Sequence, residues 1–332
     1  MPRIRVETGA RLHFGFQNLS PARERIYGGV GVALDEPCAV VEAEPADEVR
    51  CAGASPVDTY AERAVELLDV PGASVSVEST LPRHVGLGSG TQLALATLAA
   101  VARANGVEAN VRERAPALGR GGRSGVGVAG FESGGFVVDA GHPAERFTTA
   151  PPDVGTWQVP GAVARHDLPE HWRFVVVVPD AQKGTSGAAE DESMRAVVEH
   201  ADPTIGDELA GVLVRRLLPA ATEGDLDSFG SAVSTFGRLN GAWYVDEQGG
   251  VYRPPAGRLI ERLSGARAFA GVGQSSWGPA VYGVTAADRV RDAVAVAEDA
   301  LDAADVSGEV FVTAPRNRGA RVHRVGETGR KR

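Results

Sequence analysis

Seven consecutive residues, Gly86-Leu87-Gly88-Ser89-Gly90-Thr91-Gln92, follow an alternating segment, ASVSVES (73–79), and a punctuating Pro82. They run directly into TQLALATLAAVARANG (91–106), which is apolar almost all round and has Gly106 placed as a helix stop. This spells strand, glycine loop, buried helix, and that order leaves few folds open. Glycines let main-chain N–H groups approach an anion closely, and the free N–H groups and dipole of a helix start favour negative charge. The loop is therefore a candidate phosphate cradle. No Gly-Lys-Ser/Thr follows and G-x-G-x-x-G is out of register, so neither the Walker loop nor the dinucleotide fingerprint fits. A tight turn that only packs a helix on a sheet would use the same residues.

Two further glycine-rich segments stand elsewhere. GRGGRSGVGVAGFESGG (119–135) carries Arg120, Arg123 and Ser124, and two planar guanidinium groups on such a loop suit a phosphate or carboxylate, although a solvated loop would read the same way. Gly271-Val272-Gly273-Gln274-Ser275-Ser276-Trp277-Gly278-Pro279 packs glycines, hydroxyls and an indole into one turn. Three such loops across both halves imply a cleft that closes on a polyphosphate ligand.

At 332 residues the chain exceeds what one core usually supports, so two domains are expected. Strands are predicted over 3–16, around Ala39, Val41 and Ala43, and over 134–141, with an amphipathic helix at 59–70. The aperiodic, proline-containing 150–171 marks the boundary, giving units of 1–165 and 166–323 and a basic, frayed tail at 324–332. FVVVVP (174–179) reads as a strand covered on both faces, two or three helices fill 187–243, and Val290, Val294, Ala297 and Leu301 share a helix face before EVFVTAP (309–315). A net charge of -9 argues against nucleic acid and anionic lipid as partners. No run of about 18 apolar residues and no signal-peptide pattern is present, so no membrane partner and a cytoplasmic protein are expected. Cys38 and Cys51 make no disulfide framework, and the histidines lack zinc-ligand spacing.

P-x-x-x-G-L-G-S-G at 82–90 resembles the second signature of the GHMP superfamily, Ala10 to Gly15 the first and 271–278 the third. Within it, ARLHFGF (10–16), YGGVGVAL (27–34), GLGSGTQLAL (86–95), GRGGRSGVGVAGFESGGFVVDAG (119–141) and GVGQSSWGPAVYG (271–283) resemble the β-ribofuranosylaminobenzene 5′-phosphate synthase family. The resemblance implies an α+β fold in two domains: a ribosomal-protein-S5-like N-terminal unit and a ferredoxin-like C-terminal unit with its helices on one face. It implies decarboxylating transfer from phosphoribosyl pyrophosphate to 4-aminobenzoate or 4-hydroxybenzoate, with Mg2+ as cofactor and a homodimer. Two residues depart from the superfamily's kinases. Gly127 stands where S-G-[IV]-D carries a carboxylate, and Gly90 stands where G-L-G-S-S has its second serine. An ATP-dependent small-molecule kinase with a relocated base, or a ligand sensor on this fold, are the alternatives.

On this resemblance Gly86, Leu87, Gly88, Ser89, Gly90, Thr91 and Gln92 hold the pyrophosphate with Mg2+. Ser89 is a candidate ligand of that ion, as are Glu190 and Asp191, whose place at a helix start also suits simple dipole pairing. Arg120, Arg123, Ser124 and Lys183 bind a phosphate or the aromatic carboxylate. Arg11 and His13, two apart on a strand, face one side: Arg11 pairs an anion, and His13 bonds the para substituent or a phosphate oxygen. Gln274, Ser275, Ser276 and Trp277 receive the aromatic ring, while Asp139 in VVDAG ends a strand and makes a turn.

Overall fold

The opening alternation folds as β1 (Ile4–Asn18), antiparallel to the long β2 (Arg25–Pro45), whose length lets one strand serve two neighbours. The computed structural model describes residues 3–52, 56–146, 153–181 and 188–326, the side chains of 188–190 excepted. After β3 (Arg50–Ala52) and α1 (Val57–Leu68), β4 (Ala73–Ser79) pairs with the second half of β2. The chain then passes α2 (Ser89–Ala104), α3 (Val111–Arg114) and α4 (Val126–Glu132) to β5 (Phe136–Asp139), which pairs with the first half. β6 (His142–Pro143) adds to β2, and β7 (Ala162–His166) adds to β5. Helix α2 is buried on almost every side, and its many alanines let it lie close against β1, β2, α1 and α4. Its N-terminus is thereby fixed at the rim of the sheet.

The second sheet begins with β8 (Trp172–Pro179), followed by α5 (Ala188–His200), α6 (Pro203–Val212), α7 (Leu218–Glu223), α8 (Leu226–Ala242), α9 (Val245–Gln248) and α10 (Ala256–Ser264). It closes with β9 (Gly271–Gln274), β10 (Val281–Ala286), α11 (Val290–Ala303) and β11 (Gly308–Thr313), in the antiparallel order β11-β8-β10-β9. That is the ferredoxin-like arrangement. The two or three helices expected over 187–243 are three: α5, α8 and, between them, one continuous helix in which a π-helical turn at Leu213–Leu217 joins α6 to α7.

Strand β8 is covered on both faces, as its unbroken apolar run requires. Val175 and Val177 meet Leu259, Leu263, Ala293 and Ala297 of α10 and α11. Phe174 and Val176 face the other way, into a cluster with Phe229, Val233 and Phe236 of α8 that continues to Phe14 and Phe136 of the first sheet. The expectation of helices on one face is thus corrected. Helices α6 to α8 fill the space between the sheets, because one apolar cluster is shared by both domains. Phe229 lies at its centre, 4.9 Å from Trp172 and 5.5 Å from Phe136 between ring centroids.

The C-terminal unit also ends earlier than residue 323. Leu34 bridges Pro315, Arg316 N–H donates to Ala33 O at 2.8 Å, and β12 (Arg321–Arg324) pairs antiparallel with β1. The return covers the open edge of β1, a surface that would otherwise invite another strand. Arg316, 2% exposed, ties it down through Glu7 and Asp35. Residues 327–332, most of the expected tail, lie outside the described residues. Among the described residues no helix is long and apolar enough to cross a membrane.

Candidate functional site

Gly86 and Gly88 have φ of 95° and 79°, conformations open to glycine, and Gly88 is the N-cap from which α2 starts. The first-turn N–H groups of Ser89 and Gly90 lie ahead of any intrahelical acceptor and point at the space before the helix. Two guanidinium groups flank this space. A Cβ on Gly88 would come within 3.0 Å of Arg11 Cγ, and one on Gly90 within 3.1 Å of Arg120 Nη1. Arg11 is anchored to the loop itself, Nη1 donating to Gly86 O at 2.6 Å and the main-chain N–H to Leu87 O at 3.1 Å. Arg120 donates to the Tyr60 hydroxyl and stacks over that ring at 5.4 Å, while its buried Nε–H has no acceptor among the described residues. The cradle is lined by N–H donors and two cations, which is what a polyphosphate requires.

The third glycine loop closes onto the first. Ser275 Oγ donates to Gly86 O at 2.7 Å and accepts from His13 N–H at 3.1 Å, while Ser276 N–H donates to His13 O at 3.1 Å. All three glycine segments therefore meet at β1. Beside this junction a pocket opens between the domains, walled by Phe16, Tyr244, Tyr252 and Trp277, with Gln274 and Ser276 at its edge and His13 at its base. The Tyr244 and Trp277 rings meet edge to face at 4.7 Å. Four aromatic rings and a few polar groups suit a flat, aromatic guest.

Beneath the pocket runs a chain of hydrogen bonds. His13 Nε2 lies 3.2 Å from Ser124 Oγ, which donates to Asp139 Oδ2 at 3.0 Å. Asp139 is fully buried and also accepts from the N–H groups of Gly125 at 2.7 Å and Gly141 at 2.9 Å. Burial raises its carboxyl above the ordinary range against the pull of these donors. Burial also lowers His13 to about 3, the Arg11 charge adding to it, so the ring is neutral at physiological pH. Asp139 does end β5 and make the turn, as expected, but its second oxygen does this additional work.

Several expected site residues stand elsewhere. Gln92 is turned inward, 1% exposed, accepting from Thr8 Oγ1 at 2.6 Å and donating to Gly127 O at 2.9 Å, so its amide braces α2 and does not meet a ligand. The Leu87 side chain lies in the core and Ser275 is fully buried as a tie between loops. Gln274 reaches the pocket with its amide engaged, accepting from Arg253 N–H at 2.9 Å and donating to Ser276 O at 3.1 Å. Arg123 is ion-paired with Asp191 of α5, beside Tyr27, and Thr91 packs against Gly127. Lys183 and the side chain of Glu190 lie outside the described residues. Asp191, a magnesium candidate in the sequence, is paired with Arg123. Sequence reasoning passed over Phe16, Tyr60, Tyr244 and Tyr252, whose only signal was their residue type.

Residues 58–135 match the model of the GHMP kinases N terminal domain, and 217–298 match that of the GHMP kinases C terminal. The chain is 35% identical over 331 residues to the β-ribofuranosylphenol 5′-phosphate synthase of Methanothermobacter thermautotrophicus, covering 95% of this chain and 97% of that protein. This chain belongs to the β-ribofuranosylphenol 5′-phosphate synthase family of the GHMP superfamily. The family's protein from Methanocaldococcus jannaschii is 27% identical, covering 96% of this chain and 99% of that one. A solved homoserine kinase from Cytophaga hutchinsonii shares the fold at a TM-score of 0.67 and 17% identity, covering 97% and 98% of the two chains. As a member of the synthase family the protein is a transferase. It keeps the kinase fold but not the kinase carboxylate, since Gly127 at that position packs on Thr91.

Magnesium usually binds through substrate phosphates and one or two carboxylates. Among the described residues no three His, Cys, Asp or Glu side chains gather as a resident site. Ser89, the first residue of α2, carries a hydroxyl that could serve an ion brought in on phosphate oxygens.

Proposed function

We propose that this synthase-family member joins phosphoribosyl pyrophosphate to 4-hydroxybenzoate, releasing CO2 and pyrophosphate. The observation that carries the reading is the junction of an arginine-flanked anion cradle with an aromatic-walled pocket at His13. The relatives' name, a ribofuranosyl group on a phenol with a 5′-phosphate, favours the hydroxyl acid over 4-aminobenzoate. Arg11, Arg120 and the Ser89 and Gly90 N–H groups meet the charge that grows on the leaving pyrophosphate, and being already in place they do not have to reorient. Magnesium bound with that group, with Ser89 as its protein ligand, would add Lewis-acid charge neutralisation. Phe16, Tyr244, Tyr252 and Trp277 hold the ring so that its carboxylate-bearing carbon meets ribose C1′, and they keep water from an oxocarbenium-like centre. Loss of CO2 then restores aromaticity.

The test incubates the purified protein with phosphoribosyl pyrophosphate, Mg2+ and carboxyl-labelled 4-hydroxybenzoate or 4-aminobenzoate, with and without ATP. Release of labelled CO2 and pyrophosphate without ATP is expected. ATP consumption on a small alcohol, with no CO2 from either acid, would replace this reading with a kinase.

A further inference from the structure

We infer that Ser124 and Asp139 are positioning residues that fix the tautomer of His13, so that its Nδ1 takes the phenolic proton of the acceptor and later returns it. The inference rests on the function proposed above and adds to it the group that moves the proton.

Asp139 receives main-chain N–H groups from Gly125 and Gly141, so the group they enclose is the carboxylate. The Ser124 hydroxyl then donates its one proton to Oδ2, which leaves its oxygen as an acceptor. Val126 N–H reaches that oxygen at 3.2 Å, and His13 Nε2, also at 3.2 Å, must come to it as N–H. The second ring nitrogen, Nδ1, is left with a lone pair and has no hydrogen bond among the described residues. His13 lines the aromatic pocket, and its edge-to-face contact with Phe16, at 4.9 Å between centroids, fixes the ring plane. Gly29 makes room for the network. A Cβ there would fall onto Ser124 Oγ, 2.8 Å from Asp139 Oδ2 and 2.9 Å from His13 Nε2.

The chemistry needs a mobile proton. As the ring carbon bearing the carboxylate bonds to ribose C1′, the C1′–O bond breaks and its electron pair leaves with pyrophosphate. The phenol C–O becomes C=O, and its proton moves to Nδ1. When the bond to CO2 breaks, its electron pair returns to the ring and the oxygen takes the proton back, so nothing is left over. Before substrates arrive the ring is neutral, and the anionic pyrophosphate and carboxylate around it then favour the imidazolium.

Nitrogen-15 NMR of histidine-labelled wild-type protein should find His13 as the Nε2–H tautomer, and Asp139→Asn, whose amide donates to Ser124, should move the proton to Nδ1. In turnover, His13→Gln keeps a donor towards Ser124 and loses the base. It and Asp139→Asn should each lose about 100-fold or more on 4-hydroxybenzoate. On 3,5-difluoro-4-hydroxybenzoate, whose phenol ionises without help, that deficit should shrink about tenfold or more, because the missing step is worth that much when a base must supply it. An Nδ1–H ring in the wild-type protein, or equal deficits on both acceptors, would overturn the inference. The wild-type NMR arm does not depend on any variant folding. A wild-type protein that turns over neither acid would instead remove the underlying function.

Discussion

Replacing Gly29 with alanine places a methyl group on the Ser124 hydroxyl, the link between His13 and Asp139. The hydroxyl must rotate away and break bonds of 3.0 Å to Asp139, 3.2 Å to His13 and 3.2 Å to Val126 N–H. Asp139 keeps its main-chain donors, but His13 Nε2–H and Val126 N–H are left buried without an acceptor. Each such orphan costs about 1–3 kcal/mol, so the loss should be about 2–6 kcal/mol, or about 5–15 °C in Tm. Chemical denaturation of Gly29→Ala, Ser124→Ala and the double variant measures it. Because the collision is with the hydroxyl, the Gly29→Ala cost should shrink by at least about 1 kcal/mol in the Ser124→Ala background. An undiminished cost there, or a single variant as stable as the wild type, would refute the reasoning.

Gly88→Val forces a β-branched residue into φ of 79° against Arg11 Cγ, and calorimetry should find phosphoribosyl pyrophosphate binding weakened by about tenfold or more. Trp277→Ala opens the aromatic wall and should raise KM for the aromatic acid about tenfold in steady-state assays, leaving that for phosphoribosyl pyrophosphate unchanged. His13 is lowered to about 3 in the fold by burial and the Arg11 charge, so below its unfolded value of 6.5 the unfolded chain binds the extra proton. Its stability contribution is therefore intact above pH 6.5 and drains away as pH falls towards 3. Between pH 6.5 and 5 the wild type should lose about 2 kcal/mol relative to His13→Gln, read from denaturation at each pH.

The elements were legible wherever one local period ran uninterrupted. The alternation of 73–79 and the apolar run of 91–106 became β4 and α2, and the β-branched FVVVVP became the doubly covered β8. What covers β8 was not legible, because the residue pattern says that both faces are apolar and not which helices lie there. Helices α6 to α8 take the inner face since Phe229 and Phe236 meet Phe14 and Phe136 from the other domain, contacts between residues far apart in the chain. In the same way Gln92 and Ser275 looked like ligands beside glycines, and turned out to be internal braces once Thr8, Gly127 and Gly86 surrounded them.

The sequence by itself determined the succession of strand, glycine loop and buried helix, since each follows one local rule and a helix start leaves its first N–H groups free, and Arg11, His13 and Arg120 were visible as residue types in motif positions. Only the tertiary structure decided that these groups meet. Residues 13, 124 and 139 lie on three separate segments, and the polar chain linking them exists because β1, β5 and the start of α4 pack around Gly29, where the missing side chain leaves room for a serine, a histidine and a carboxylate. The aromatic wall is decided the same way, by α8 and the loop after β9 closing over Phe16.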